Sequence, residues 1–486
     1  MPRLAELLAD VKYKQLLNPQ PDLIPTGLTA DSRRVGPGAV FVAVRGTQSD
    51  GHTFIPSAVD AGAAAVVCEQ LPELPAPGVT WVVVDDTSVA LGLMASARYG
   101  RPSRSLTLVG VTGTNGKTTI ATLLYDLARL TGHRAGLLST VVNKIEDTEV
   151  PATHTTPDPL ELNRLLRQMV DAGCTFAAME VSSHAAAQHR IAGLDFDGGV
   201  FTNLTRDHLD YHGTVANYLA AKKSFFDSLK PEAFAITNLD DRNGLVMLQN
   251  TDARRITYSL RSEADHRGRL IEDRIDGMTI SFDGREAEMM FIGRCNASNL
   301  MAVYATGRAL GLDRDTLLTA MSRLTPVAGR FQPFRSPSGV VGIVDYAHTP
   351  DAIINVLDTI NEIKHPGAAV TAVVGCGGDR DKGKRPIMAR EAASRVARLI
   401  ITSDNPRTED PMDIIADMRA GLTDEQAAAT LTIPDRAEAI RLAVQLAVPG
   451  DVILVAGKGH ETYQIIGTER LPFDDRAILS QALQSK

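Results

Sequence analysis

The sequence predicts an α/β protein of about three domains built on parallel sheets. Three observations carry that prediction. Apolar runs alternate with helical runs in "VVGIVDYAHTPDAIINVL", "AVTAVVGCGGDRDKGKRPIMAREAA", "RLIITSDNPRTEDPMDIIADM", "TLTIPDRAEAIRLAV" and "DVILVAGKGHETYQII"; such alternation implies a parallel sheet with helices on both faces. The segment "LVGVTGTNGKTTIATLL" at 108–124 is a strand that feeds a Gly/Thr/Asn turn and opens directly into a helix. Finally, 486 residues exceed one core, since a domain takes roughly 100–200.

Three blocks follow in order. Residues 1–102 begin with "MPRLAELLADVKYKQLL", which reads as an amphipathic helix interrupted by charges. Strands "AVFVAVRG" and "TWVVVDD" and an Ala-rich helix around 56–66 follow, and "RYGRPSRS" ends the block. Residues 103–332 open on the strand–turn–helix and continue through "FAAMEVSS" and "FDGGVFTNLT", buried strands ending in polar loops. Near 255–292 the pattern alternates around Asp276-Gly277 and Asp283-Gly284, which predicts a small antiparallel appendage. Residues 333–486 hold the repeated strand–loop–helix units. In sheets of this kind ligands lie outside the carboxyl ends of strands, so the loops after strands are where chemistry is sought.

Composition narrows the function. A hydrophobic fraction of 44% and a charged fraction of 22% are ordinary for a globular protein. The net charge of −8 argues against a nucleic-acid or acidic-membrane partner. Four scattered cysteines (Cys68, Cys174, Cys295, Cys376) fit neither a disulfide framework nor a zinc site. No run of 18 apolar residues exists and the start is unlike a signal peptide, so a cytoplasmic protein is expected.

The strand–turn–helix carries the clearest chemistry. Gly113, Thr114, Asn115, Gly116, Lys117, Thr118 and Thr119 form a glycine-rich turn whose amides would converge on phosphate at a helix N-terminus. Lys117 would neutralise the β/γ-phosphates and the Thr118 hydroxyl would ligate Mg²⁺. The usual spacing would place glycine at 111; Val111 stands there, so the turn is shorter than the common cradle.

Other constellations are open on their own residues. Glu180 ends a buried strand, and Asn203, Asp207, His208 and Asp210 follow another. Beside a phosphate loop, carboxylate and imidazole suit a divalent cation, with oxygen ligands favouring Mg²⁺ over zinc; alone they read as a hydrogen-bonded turn. In "NYLAAKKSFFDSL", Lys222 and Lys223 read as solvated charges on a helix. "HETYQ" at 460–464 lacks the second histidine of a zinc-protease helix, and "GCGGDR" lacks the full dinucleotide fingerprint. In "SDNPRTEDP", Pro406 fixes a turn that aims Arg407 outward. That guanidinium would either capture a carboxylate bidentately or pair with Glu409 or Asp410.

Together, "TGTNGKTT", "MEVSSH", "TNLTRDHLDYHG", "YLAAK", "GRCNASNLMA", "DYAHTPD", "GCGGDRDKGKRP", "DNPR" and "AGKGHE" resemble the Mur ligase family, most of all its diaminopimelate-adding branch. The resemblance runs over nearly the whole chain, including "ADSRRVGPGAVFVAVRGTQSDGH". A short phosphate loop with a residue like Val111 is normal there. The resemblance implies a uridine-nucleotide domain at 1–102, a central P-loop ATPase domain at 103–332 and a Rossmann-like domain at 333–486. It also implies an ATP-dependent amide ligase of peptidoglycan precursor synthesis, acting through an acyl phosphate with Mg²⁺ and small-molecule substrates; nothing in the sequence suggests an obligate interface, so a monomer is the default expectation. The three sites would sit on different blocks and converge by domain closure.

By the same resemblance, Lys117, Lys222 and His208 are catalytic, Lys222 as a carbamate. Thr118, Glu180, His208 and the Lys222 carbamate hold metal, and Asn296, Arg330, Asp345 and His348 join the phosphate loop around ATP. Ala30, Ser32, Thr47, Gln48, Ser49, Thr155, Thr156, Ser182, Gln188 and Arg190 meet the uridine-nucleotide substrate. Arg380, Asp404, Asn405, Pro406, Arg407, Gly457 and Glu461 meet meso-diaminopimelate. Cys295, Ala328 and His154 depart from residues frequent in the family.

Overall fold

A computed structural model describes the chain except Thr47, Gln48, Thr153 and Arg206 and the side chain of Asp210. It divides into two compact units, Met1–His266 with Ala305–Leu312, and Arg267–Tyr304 with Asp313–Lys486.

The first unit holds two sheets. Strands Leu28–Thr29, Val40–Val42, Ala65–Cys68 and Thr80–Val84 run parallel, and Tyr13–Leu17 closes the edge antiparallel to Thr80–Val84. Two sequence expectations are corrected here. The opening segment is helical only over Leu4–Leu7, and Tyr13–Leu17 is a strand because Thr80–Val84 offers an edge. The Ala-rich helix stops at Asp60, since Ala65–Cys68 is wholly buried between two strands.

The central sheet of this unit orders its parallel strands as Arg254–Ser259, Phe234–Asn238, Gly198–Phe201, Thr107–Thr112, Phe176–Glu180 and Ala135–Leu138. The strand leading into the phosphate loop thus lies between those ending at Phe201 and Glu180. Helix Lys117–Leu130 buries Ile120, Leu123, Leu124 and Leu127 against the sheet, the spacing of one helical face. At 254–292, strand Arg254–Ser259 belongs to the parallel sheet, so the antiparallel pattern starts later than the alternation suggested.

In the second unit, His266–Arg274, Gly277–Phe282 and Arg285–Met289 make an antiparallel meander. Asp283 and Gly284 turn its second hairpin, both at positive φ (48° and 82°), as a two-residue hairpin loop favours. A six-stranded sheet follows in the order Gln332–Arg335, Val341–Asp345, Val452–Ala456, Val370–Cys376, Arg398–Ser403 and Leu431–Thr432. All but the first strand are parallel. Separate apolar clusters cover its two faces, one around Leu357, Met388 and Ile415 and the other around Ile440, Ala443 and Leu479. The predicted α/β class and its parallel sheets are therefore present, and every loop singled out for chemistry follows the carboxyl end of a strand.

Candidate active site

In the first unit, Gly113 takes φ +147°, and a Cβ there would stand 1.8 Å from Thr202 Oγ1. Only glycine fits that position. Thr202 and Asn203, just past strand Gly198–Phe201, brace the loop from the side. The Thr202 hydroxyl donates to Asn115 O (2.6 Å), Thr114 N–H donates to Asn203 O (2.8 Å), and Asn115 N–H donates to Asn203 Oδ1 (3.0 Å). The loop amides of Thr114 and Asn115 are thus engaged by protein. Gly116, at φ +88°, caps the helix, whose first turn carries amides that no carbonyl of that helix accepts. Lys117 Nζ folds back onto Gly113 O (3.0 Å) and Thr114 O (2.8 Å).

Lys222 overturns the solvated-charge reading. It is 1% exposed, its Nζ donates to Gly113 O at 2.7 Å, and the Tyr218 ring lies 4.6 Å away. Burial first, and then the Lys117 charge, push its pKa well below that of a free lysine, with Asp207 opposing. Lys223 keeps an ion pair, with Asp227 one turn on (2.6 Å), although only 13% of its side chain is exposed. The helix Val215–Asp227 explains the split: Tyr218, Lys222 and Phe225 share one buried stripe at i, i+4 and i+7. That spacing was readable and is the signal the solvated reading overlooked.

Glu180 is 1% exposed at the end of its strand, in register with Val111. Its Oε1 accepts from Thr140 N–H (2.7 Å), while Oε2 is buried with no hydrogen-bond partner among the described residues. His208 sits at φ +52° with its ring 4.9 Å from that of His184 and its Nε2 3.5 Å from Asp207 Oδ2. Among the described residues no group of three or more His, Cys, Asp or Glu forms a cation cage. That donor set suits Mg²⁺, which takes one or two carboxylates and completes its shell from phosphates and water. The orphaned Glu180 oxygen is the place such a cation fits.

Of the residues expected to meet the uridine-nucleotide substrate, Thr155, Thr156, Ser182, Gln188 and Arg190 are linked by hydrogen bonds around the end of the Glu180 strand. The Thr156 hydroxyl donates to Glu180 O (2.8 Å) and accepts from Ser182 N–H (3.1 Å). Arg190 donates to Thr156 O (2.8 Å) and to Gln188 Oε1 (2.9 and 2.7 Å), while Gln188 donates to Tyr211 Oη (3.0 Å). Thr155 accepts from the Thr140 hydroxyl at 3.0 Å. Ala30 and Ser32 flank Asp31, which caps the short helix Ser32–Arg34, and Ser49 O accepts from Gly46 N–H. Thr47 and Gln48 lie outside the described residues. Thr140 and Tyr211 were missed because neither belongs to a recognisable spacing.

In the second unit, Asp345 ends its strand and accepts from Phe331 N–H (2.7 Å); burial raises its pKa, with the Arg330 charge opposing. Arg330 lies over the Tyr346 ring at 4.6 Å, and His348 Nδ1 is 2.8 Å from Tyr346 O. Asn296 is buried, donating to Ile292 O (2.9 Å).

The loops after strands Arg398–Ser403 and Val452–Ala456 bring Asp404, Asn405, Gly457 and Glu461 together. Lys458, absent from the sequence reading, is fully buried between them, 2.9 Å from Asn405 Oδ1, 3.2 Å from Glu461 Oε2 and 3.6 Å from Asp404 Oδ1. Asn405 also donates to Glu461 Oε2 (2.8 Å). Gly457 is at φ +120°, where a Cβ would meet Asp404 Oδ2 at 2.5 Å, so the glycine admits the carboxylate.

Arg407, at φ +53°, is held by the hairpin Tyr463–Ile466/Glu469–Pro472: its N–H donates to Ile465 O (3.1 Å) and its O accepts from Gly467 N–H (2.7 Å). Its guanidinium donates to Gly378 O (2.6 Å) and forms no ion pair among the described residues. The two local partners considered for it are taken: Glu409 by Arg385 (2.8 Å), and Asp410 as the cap of helix Pro411–Arg419. Arg380 is exposed near Gly377 and likewise forms no ion pair among the described residues.

Three family models match in chain order: Mur ligase family, catalytic domain, at 25–99; Mur ligase middle domain at 111–307; and Mur ligase, glutamate ligase domain, at 329–459. The UDP-N-acetylmuramoyl-L-alanyl-D-glutamate–2,6-diaminopimelate ligase of Bacteroides thetaiotaomicron is 57% identical over 456 residues, 94% of this chain and 95% of that protein. The ligase of the same name from Bacteroides fragilis is 55% identical and covers 99% of each chain. A solved structure of a ligase with that name is 34% identical, covers 99% of this chain and 98% of its own, and superposes with a TM-score of 0.71. With these matches spanning nearly its whole length, the chain belongs to the Mur ligase family.

Proposed function

We propose that this protein is an ATP-dependent ligase that joins meso-2,6-diaminopimelate to UDP-N-acetylmuramoyl-L-alanyl-D-glutamate in the cytoplasm, as a monomer. Residues 1–102, 103–332 and 333–486 are assigned as uridine-nucleotide, ATP and amino-acid domains. The observation that carries the acceptor is the charge arrangement of the last third. Arg407 and Arg380 have no carboxylate partner among the described residues, whereas the acids Asp404 and Glu461 already share Lys458. Two guanidinium groups suit the two carboxylates of a diamino-dicarboxylate. Lysine lacks the second carboxylate and would leave one guanidinium without its partner.

The reaction follows from these parts. An oxygen of the glutamyl carboxylate attacks the γ-phosphorus of ATP, the bond to the ADP oxygen breaks, and ADP leaves. The acceptor amine, after losing a proton, attacks the acyl carbon; the carbon–oxygen bond to phosphate breaks and phosphate leaves. Two anions meet in the first step, so positive charge must offset them. Lys117 and the amides at the helix start, 117–119, would supply it. A divalent cation held by Glu180, Thr118, His208 and carbamylated Lys222 would supply further charge there. Lys222 suits carbamylation because a neutral amine is the form that adds CO₂, and its burial beside Lys117 favours that form. Thr155, Thr156, Ser182, Gln188 and Arg190, with Ala30, Ser32, Thr47, Gln48 and Ser49, are assigned to the uridine-nucleotide substrate. Asn296, Arg330, Asp345 and His348 are assigned to ATP.

Phosphate release measured with ATP, the nucleotide-dipeptide and diaminopimelate, omitting each in turn, tests the assignment. Release that requires all three supports it; release without the amino acid, or only with lysine or D-Ala-D-Ala, refutes it.

A further inference from the structure

The carboxylates on the Arg407 turn, and Asp379 on the loop bonded to that turn, each accept from other groups. Asp379 accepts from the Thr408 hydroxyl (2.8 Å), and Asp410 accepts from Met412 N–H (2.7 Å). Glu409 is the nearest competitor, two residues along a turn closed by its own N–H on Pro406 O (3.1 Å). Its two oxygens are held by Arg385 at 2.9 and 2.8 Å, while Lys382 (3.1 Å) and Asp379 N–H (2.5 Å) complete its shell. Arg385 itself is 0% exposed, fixed further by Asp417 (2.8 Å) and Gly377 O (3.2 Å).

We propose that Arg385 is a positioning residue for acceptor recognition: it sequesters Glu409, so that Arg407 keeps its guanidinium for a carboxylate of the amino-acid substrate. The proposal rests on the diaminopimelate reading above. A carboxylate tethered two residues away competes at an effective concentration of about millimolar or more. A released Glu409 needs no further immobilisation to reach the guanidinium, whereas a substrate carboxylate pays for its ordering, so the two compete for one site. Arg385 is suited to the task because its bidentate geometry occupies both oxygens of Glu409 at once. The same residue ties together the two loops that carry Arg380 and Arg407, through Gly377 O and Glu409.

The test measures steady-state phosphate release by the full chain, varying diaminopimelate at saturating ATP and nucleotide-dipeptide. The proteins are wild type, Arg385→Met, Glu409→Gln and the double variant. Arg385→Met should raise KM for diaminopimelate by about tenfold or more and leave KM for ATP within about twofold. Adding Glu409→Gln should bring KM for diaminopimelate back to within about threefold of wild type, because the competing charge is gone. A structural role alone predicts that the melting temperature and KM for ATP shift and recover together with KM for diaminopimelate, and that result, or a double variant as impaired as the single one, overturns the proposal. An unchanged KM in Arg385→Met does the same. Should circular dichroism show Arg385→Met unfolded, Arg385→Lys takes its place: one ammonium cannot hold both oxygens, so KM rises and Glu409→Gln again corrects it. Wild type that ignores diaminopimelate would refute the acceptor assignment itself. Wild type that uses it, without the rescue, would refute only the clamp.

Discussion

Replacing Arg407 with alanine should separate acceptor recognition from everything else the protein binds. The guanidinium is half-buried, with one carbonyl partner at 2.6 Å and no ion pair among the described residues, so its charge is available to a ligand. Hydrogen bonds to a charged group are worth about 1.5–3 kcal/mol. At 1.36 kcal/mol per factor of ten, their loss lowers kcat/KM for diaminopimelate roughly 10- to 150-fold. Lysine has no second carboxylate to lose, so its much lower kcat/KM should stay nearly level and discrimination should collapse. The backbone of the loop is held by main-chain bonds to Ile465 and Gly467, so the truncation removes the side chain without freeing the turn. The assay is phosphate release with diaminopimelate or lysine as variable acceptor, alongside KM for ATP and for the nucleotide-dipeptide. Equal losses for both acceptors, or an increase in KM for ATP of the same size, would refute the reasoning.

Three further outcomes are expected. Gly113→Ala forces a Cβ to within 1.8 Å of Thr202 Oγ1 at φ +147°, so nucleotide affinity measured by calorimetry should be lost and the melting temperature lowered; retained affinity would contradict the loop geometry. Lys222→Ala should abolish phosphate release while the nucleotide-dipeptide still binds, and normal turnover would restore the surface-lysine reading. His460 is held neutral, its pKa lowered to about 3 by burial first and then by the Arg330, Arg476, His348 and Lys458 charges. An unfolded histidine titrates near 6.5, so the unfolded state binds more protons between about 6.5 and 3, and stability falls as pH falls through that window. His460→Phe should therefore lose up to about 2 kcal/mol less than wild type between pH 7 and pH 5 in urea unfolding; identical losses would contradict the burial of this ring.

What could be read before the structure follows from range. The strand–turn–helix at 107–130 and the repeated units after 333 are local patterns whose apolar spacing survives folding unchanged. Tyr13–Leu17 was misread because its strand conformation depends on pairing with a segment more than sixty residues away. Lys458 and Arg385 escaped notice for a related reason. Each is a buried cation whose partners arrive from other loops: Asp404 and Asn405 for one, Glu409 and Asp417 for the other. Nothing in the sequence near them distinguishes such residues from surface charges. Arg407 was legible as a choice between two partners, and only the positions of Glu409 and Asp410 remove the local one.

The most direct measurement offers equimolar diaminopimelate, lysine and D-Ala-D-Ala to the protein with ATP and the nucleotide-dipeptide, and weighs the products by mass spectrometry. The diaminopimelate adduct should dominate, accompanied by one ADP and one phosphate per amide formed. A lysine or D-Ala-D-Ala adduct in the majority, or amide formed without ADP, would contradict the account.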